Sequence, residues 1–198
     1  MRSGFRHSDV TGGLYCVFTR LNFWRERVLA MKLTEFFREQ LDREVERSRK
    51  ALEQVPDGKY DWKPHEKSMI FGYLADMVAT IPTWITMEIK RDDLDVAPAA
   101  GQGTKKEPKK TSADLVKALD EAAAEARSAL EGTDDEFLNT TWKLLARGNV
   151  VWEGPRHEII QDTISHWSHH RGQMTVYLRL MGAKVPAIFG PSADDQSF

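Results

Sequence analysis

The chain of 198 residues has a single cysteine, Cys16, which excludes an intrachain disulfide and any cysteine-based zinc knuckle. It has little excess charge of either sign: 28 Lys and Arg against 30 Asp and Glu leave a formal −2, so the basic footprint of a nucleic-acid binder is missing. Lys105, Lys106, Lys109 and Lys110 form a local basic cluster, but Glu107 and Pro108 interrupt it and no aromatics interleave, so it reads as a solvated loop. Long apolar runs are absent as well. The stretch Leu14–Phe18 is closed by Arg20, too short to span a membrane and poorly matched to a secretory signal. Glycine-rich phosphate loops, a nucleophile elbow and any Ser-His-Asp or Cys-His arrangement are likewise missing. A cytoplasmic protein with no nucleic-acid or membrane partner is expected.

Residues 1–30 carry scattered arginines and glycines without a sustained period, and read as a disordered or non-native extension; residues 31–198 read as one domain with a single core. From Met31 the pattern is helical. Leu33, Phe37, Leu41, Val45 and Leu52 predict an amphipathic helix over 34–52 with Thr34 as N-cap. Ile70, Leu74, Met77, Ile81 and Trp84 predict a second over 69–90, with Pro82 inside it as a source of a kink. Thr111 and Asp114 resemble a capping box and open a third, whose Ala122 and Ala126 give a small-residue face. Trp142 to Trp152, around Arg147-Gly148-Asn149, fits a short hairpin and equally an ordered loop. Pro155 suits the first turn of a fourth helix that runs to Met181, with Gly182 as its stop and an irregular tail from Ala187. The expected class is all-α, a four-helix bundle with the hairpin or loop before its last helix.

The fourth helix carries the chemistry. His166 and His170 stand at i and i+4, on one face with Cβ atoms about 5–6 Å apart, the spacing of a metal clamp. Asp162 lies one turn earlier, and Gln173 and Tyr177 follow on the same stripe, where they could orient the imidazoles. The plainer alternative is a pair of hydrogen-bonded polar residues that never see a metal. His169 points to another face, His65 and His157 read as surface residues, and His7 falls in the extension. Arg171 and Arg179 are open to three roles: holding a carboxylate of the protein, pairing with an anionic substrate, or solvation on the helix.

Two segments carry a family resemblance. Glu66-Lys67-Ser68-Met69-Ile70-Phe71-Gly72-Tyr73-Leu74-Ala75, followed by Ile81-Pro82-Thr83-Trp84, resembles the second-helix segment of DinB-like proteins. His166 through Gln173, then Val176-Tyr177-Leu178-Arg179, Gly182, Val185-Pro186 and Phe189 through Asp194, resembles their fourth helix and tail. The resemblance runs from Met31 to the C-terminus. It implies a four-helix bundle, often dimeric, with a divalent metal such as zinc or nickel on three histidines, one from the second helix and a His-x3-His pair from the fourth. Characterised members of that family include thiol-dependent transferases and isomerases.

His166 and His170 match the pair, whereas Met77 occupies the second-helix ligand position. A thioether is a soft neutral ligand that suits copper(I)-like ions better than zinc or nickel, so the implied site is incomplete. Methionine there equally serves as core filling. Asp76 is adjacent but points about 100° away on an ideal helix, which leaves Asp162 as the better substitute ligand or supporting partner. Two functions follow. One is a metal-dependent, thiol-dependent transferase or a hydrolase; the other is a bundle with a degenerate metal site that binds a small ligand or acts as a dimeric accessory. A homodimer is expected in either case.

Overall fold

Leu33–Leu52 forms helix α1, with Phe37, Leu41, Glu44, Ser48, Ala51 and Leu52 buried at helical intervals. Its cap differs from the expectation at Thr34. The Leu33 and Thr34 N–H groups donate to the Asp135 carboxylate at 2.9 and 3.1 Å, and the Thr34 hydroxyl donates to it at 3.2 Å. An acidic side chain some hundred residues away thus answers the unpaired donors and the positive end of the helix dipole. The computed structural model describes residues 31–98, 109 and 111–197. The expectations for residues 1–30, including Cys16 and His7, and for Lys105, Lys106 and Lys110 lie outside the described residues.

The second expected helix divides at Ile81 into α2 (Phe71–Thr80) and α3 (Pro82–Lys90). Proline is the reason. Pro82 has no N–H to offer Val78, one turn back, and the freed Val78 carbonyl instead accepts the indole N–H of Trp167 at 2.7 Å. The break therefore binds this helix pair to the last helix. Helix α4 (Ser112–Glu131) begins at the expected cap, with the Thr111 hydroxyl accepting the Asp114 N–H at 3.0 Å. Its buried Ala118, Ala122, Ala123, Ala126 and Ala129 let α1 and α3 approach closely. A single turn, α5 (Asp135–Leu138), carries the residue that caps α1. Helix α6 (Arg156–Leu180) ends in a Schellman motif. Gly182 has φ +76°, the Ala183 N–H reaches the Leu178 carbonyl at 2.9 Å, and the Gly182 N–H reaches Arg179 at 3.1 Å.

The all-α expectation needs correction. Among the described residues, six helices are joined by a three-stranded sheet in the order β1 (Asp93–Asp95), β2 (Thr141–Ala146), β3 (Asn149–Pro155). Of the two alternatives left open for this segment the hairpin is the one that forms: strands β2 and β3 are antiparallel, with a register shift at Leu144/Leu145. Strand β1 pairs in parallel with β2, Leu94 opposite Leu144. Three residues of Asp-Leu-Asp carry no readable alternation; this strand exists because its neighbour is there. Asp95 then clamps the hairpin turn. Its carboxylate accepts the N–H groups of Arg147 and Gly148 at 3.1 and 2.7 Å, holding Arg147 at φ 54° and Gly148 at φ 76° in a left-handed two-residue turn.

The core joins all the longer helices. Leu41, Leu52, Leu74, Ile81, Ile85, Leu115, Leu119 and Trp167 are fully buried, with Met77 half-buried against them. The irregular tail is pinned rather than loose. Val185 and Ala187 donate to Asp194 and Asp195 at 2.9 Å each, and Arg179 pairs with Asp194 at 2.6 Å. No described helix is long and apolar enough to cross a membrane.

Candidate functional site

Helix α6 buries Ile160, Thr163, Ile164, Trp167, His170, Arg171, Met174 and Leu178, so His170 faces inward while His166 lies at the exposed flank of that stripe. The pair converges as expected from its spacing. The two Nε2 atoms are 2.9 Å apart and the rings meet edge to face, centroids 4.4 Å apart. His170 Nδ1–H donates to Gln173 Oε1 at 2.8 Å, which places the proton on Nδ1 and leaves Nε2 with its lone pair turned toward His166. Within the pair, His166 Nε2–H is then the donor. Trp84 packs on the His166 ring at 5.3 Å between centroids. Partial burial lowers the His166 pKa, and the neighbouring His170 and His169 lower it further, so the neutral, ligand-competent imidazole is favoured.

Two imidazole nitrogens each about 2.0–2.1 Å from one ion would lie about 2.9–3.4 Å apart, so the pair fits as half of a metal clamp. The other half is missing. Among the described residues no three His, Cys, Asp or Glu side chains gather in a group able to hold a metal ion. Met77, which the resemblance sets at a third ligand position, is packed against the core. Asp76 is committed elsewhere, paired with Lys109 at 2.9 Å. Asp162 shares a cavity wall with His166 but does not complete a three-ligand group with the pair. The ligand set therefore does not fit a closed zinc or nickel centre.

The remaining sequence candidates have other partners. Arg171 is fully buried and paired with Glu44, which rules it out as an anchor for an anionic substrate. Arg179 holds the tail through Asp194. Tyr177 packs among Trp62 and Phe71, at 5.6 and 6.4 Å between ring centroids. His169 is exposed, its ring 5.2 Å from that of His170, and His65 accepts the Lys67 N–H in a surface turn.

Beside His166 opens a cavity of about 350 Å³ between α3, α6 and the sheet. Its apolar wall comes from Trp84, Met87, Leu94, Val96, Trp142, Leu144 and Ile159, and its polar wall from Glu88, Asp162, Thr163 and His166. Glu88 accepts the Thr163 hydroxyl on Oε1 at 2.5 Å, while its Oε2 is buried without a partner. Trp142 Nε1, in the facing strand, is also buried and unpartnered. Each such atom costs about 1–3 kcal/mol, so two on residues around one cavity mark a place where stability is not optimised. Burial raises the Glu88 pKa to about 8; the Thr163 hydrogen bond opposes the shift and the Asp162 charge adds to it. Near neutral pH this carboxyl is protonated.

Glu88 and Trp142 were not among the residues singled out from the sequence. A carboxylate at position 88, in step with Ile81 and Ile85 on an apolar face, was the available signal for the first. Trp142 carried none, because its partners are set by the sheet.

With this geometry in view, known proteins place the chain. The solved DinB-like protein from Bacillus cereus ATCC 10987 superimposes with a TM-score of 0.62 at 22% identity, covering 78% of this chain and 97% of that one. The Bacillus subtilis DinB-like protein YjoA gives 0.57 at 20% identity, covering 75% and 93%. A member of the DinB family from Exiguobacterium sibiricum 255-15 gives 0.51 at 15%, covering 77% and 93%. Those likenesses show a shared fold. In sequence, YrdA of Bacillus subtilis (strain 168) is 44% identical over 64 residues, a match that spans 30% of this chain and 38% of that relative. The DinB family model matches residues 30–196, and the chain belongs to the DinB family.

Proposed function

We propose that this chain is a DinB-family bundle with a degenerate metal centre, whose working site is the cavity beside His166, where it holds a small molecule. The observation that carries this reading is the pairing of an incomplete ligand set, two imidazoles and the Met77 thioether, with a preformed, mostly apolar cavity whose wall includes His166. Such concave apolar sites with a few polar groups and a perturbed carboxyl are the usual form of small-molecule pockets.

A second reading has its own support. The 2.9 Å convergence of the Nε2 atoms and the Gln173 contact suit a metal-dependent transferase or hydrolase, with His166 and His170 holding zinc or nickel. An ion there would supply Lewis-acid activation of a bound water or thiol.

Zinc titration by calorimetry on untagged protein separates the two. Under the first reading the unmodified chain binds zinc weakly. Met77→His should tighten binding by about 10–100-fold, about 1.4–2.8 kcal/mol, by restoring the third imidazole. His170→Ala should abolish binding in either background. Sub-micromolar zinc affinity in the unmodified chain would overturn the degenerate reading, and no gain from Met77→His would mean that residue 77 does not face the pair.

The same reading includes a homodimer. Val176 and Leu180, one turn apart on α6, are 57% and 60% exposed, apolar surface that a partner would cover. An interface of about 1,200–2,000 Å² is expected. Light scattering at micromolar concentration should give twice the chain mass, and a clean monomer mass rejects the dimer.

A further inference from the structure

If the cavity beside His166 is the working site, the chemistry of its walls restricts what can enter. We infer that its ligand is uncharged and largely apolar, a molecule of up to three rings rather than an anionic thiol or a phosphate ester.

Charge and surface carry the inference together. Among the described residues no lysine or arginine lines the cavity, and the charged side chain that does is Asp162, of the same sign as an anionic ligand. The nearby buried cations are already engaged. Arg171 is paired with Glu44, and Arg156 donates to the Glu88 and Arg91 carbonyls and to Asp92. An anion would therefore give up its hydration without gaining a counter-charge. Glu88, held protonated by its burial near neutral pH, adds no positive potential, and ionising it would only repel an anion further.

The Trp84 indole, together with Leu144 and Ile159, offers apolar surface of the kind that receives a ring. Asp162 and His166 are the exposed polar side chains of the lining, so the site matches few polar atoms of a ligand. A volume of about 350 Å³ lies at the small end of ligand pockets.

Two fluorescent probes with the same rings test this, N-phenyl-1-naphthylamine, which is uncharged, and 8-anilinonaphthalene-1-sulfonate, which is anionic. Both are titrated into the full-length protein. The uncharged probe should bind at least about tenfold more tightly than the sulfonate. Leu144→Trp, which fills the cavity, and Val96→Trp, which narrows its exposed rim, should each weaken the uncharged probe by about tenfold or more while far-UV circular dichroism is retained. Asp162→Asn should narrow the gap between the probes by admitting the sulfonate. Equal or tighter sulfonate binding that is still lost in the two wall variants would overturn the charge inference and leave the cavity as the site. Absence of uncharged-probe binding, or binding untouched by both wall variants, would overturn the cavity reading itself.

Discussion

Arg156→Leu should destabilise the protein by about 3–5 kcal/mol, with a thermal midpoint about 6–20 °C lower. Arg156 is 2% exposed and sits where α3, the sheet and α6 meet. Its guanidinium donates to the carbonyls of Glu88 and Arg91 at 2.5 and 2.6 Å, to Asp92 at 2.5 Å and to the Thr140 hydroxyl at 3.0 Å, and it lies 4.4 Å from the Phe137 ring centroid. The two carbonyls belong to the last turn of α3 and the residue just after it, where the helix has no donors left and its dipole is negative. Leucine fills part of the volume and serves none of these acceptors. Arg156→Lys should recover only part of the loss, because one ammonium on a flexible stem cannot reach four acceptors in a fixed fork. Urea titrations give the differences directly; a loss under about 1 kcal/mol for Arg156→Leu would mean that water replaces the guanidinium at those carbonyls.

Glu44→Ala should cost a similar amount, about 3–5 kcal/mol at neutral pH, by stranding a buried cation. Glu44 and Arg171 are 3% and 1% exposed and directly paired. Arg47 and Ser168 also donate to the Glu44 carboxylate, at 2.5 and 3.0 Å, and Arg171 reaches the Ser48 hydroxyl at 3.2 Å. Burial by itself would raise the Glu44 pKa, but the Arg171 charge, with hydrogen bonds from Arg171, Arg47 and Ser168, outweighs it and the value falls below 4.5. A carboxyl with a depressed folded pKa contributes stability that is present above the unfolded value and lost as pH falls through the folded one. The unmodified protein should therefore lose stability steeply below about pH 4.5, and Glu44→Ala should flatten that slope.

For Arg171 the dominant influence is burial, which lowers its pKa against the pull of Glu44, so the pair is an expensive way to fill the space. Glu44→Leu with Arg171→Met should accordingly restore most of the stability that the single change removes. Failure of the double replacement to do so would mean that the network with Arg47, Ser48 and Ser168 stabilises more than apolar packing there.

Much of this molecule is written in short-range pattern. Apolar residues three and four apart determine α1, α4 and α6, because a helix closes its hydrogen bonds within itself and needs only one buried face. His166, His170 and Gln173 come together for the same reason, and so do the Thr111 cap and the Gly182 stop. Pro82 marks its own break.

What lies between elements was not legible. Asp135 as the cap of α1, Asp95 as the clamp of the hairpin, and the third strand at Asp93–Asp95 all join residues far apart in sequence, where periodicity carries no information. Arg171 illustrates the difference most clearly. On the helix it follows His170 and could face solvent, substrate or core; only the placement of Glu44 on α1 makes it a buried structural cation. Glu88 and Trp142 line one cavity because α3 packs beside the sheet, and no local rule anticipates that neighbourhood. The sequence by itself determined the helices and the histidine pair, since both depend on geometry within one turn or two. Tertiary packing decided that, among the described residues, no third metal-ligating side chain gathers with the pair and that His166 lines an apolar cavity, because burial and polar pairing are properties of surfaces that meet only when the chain has folded.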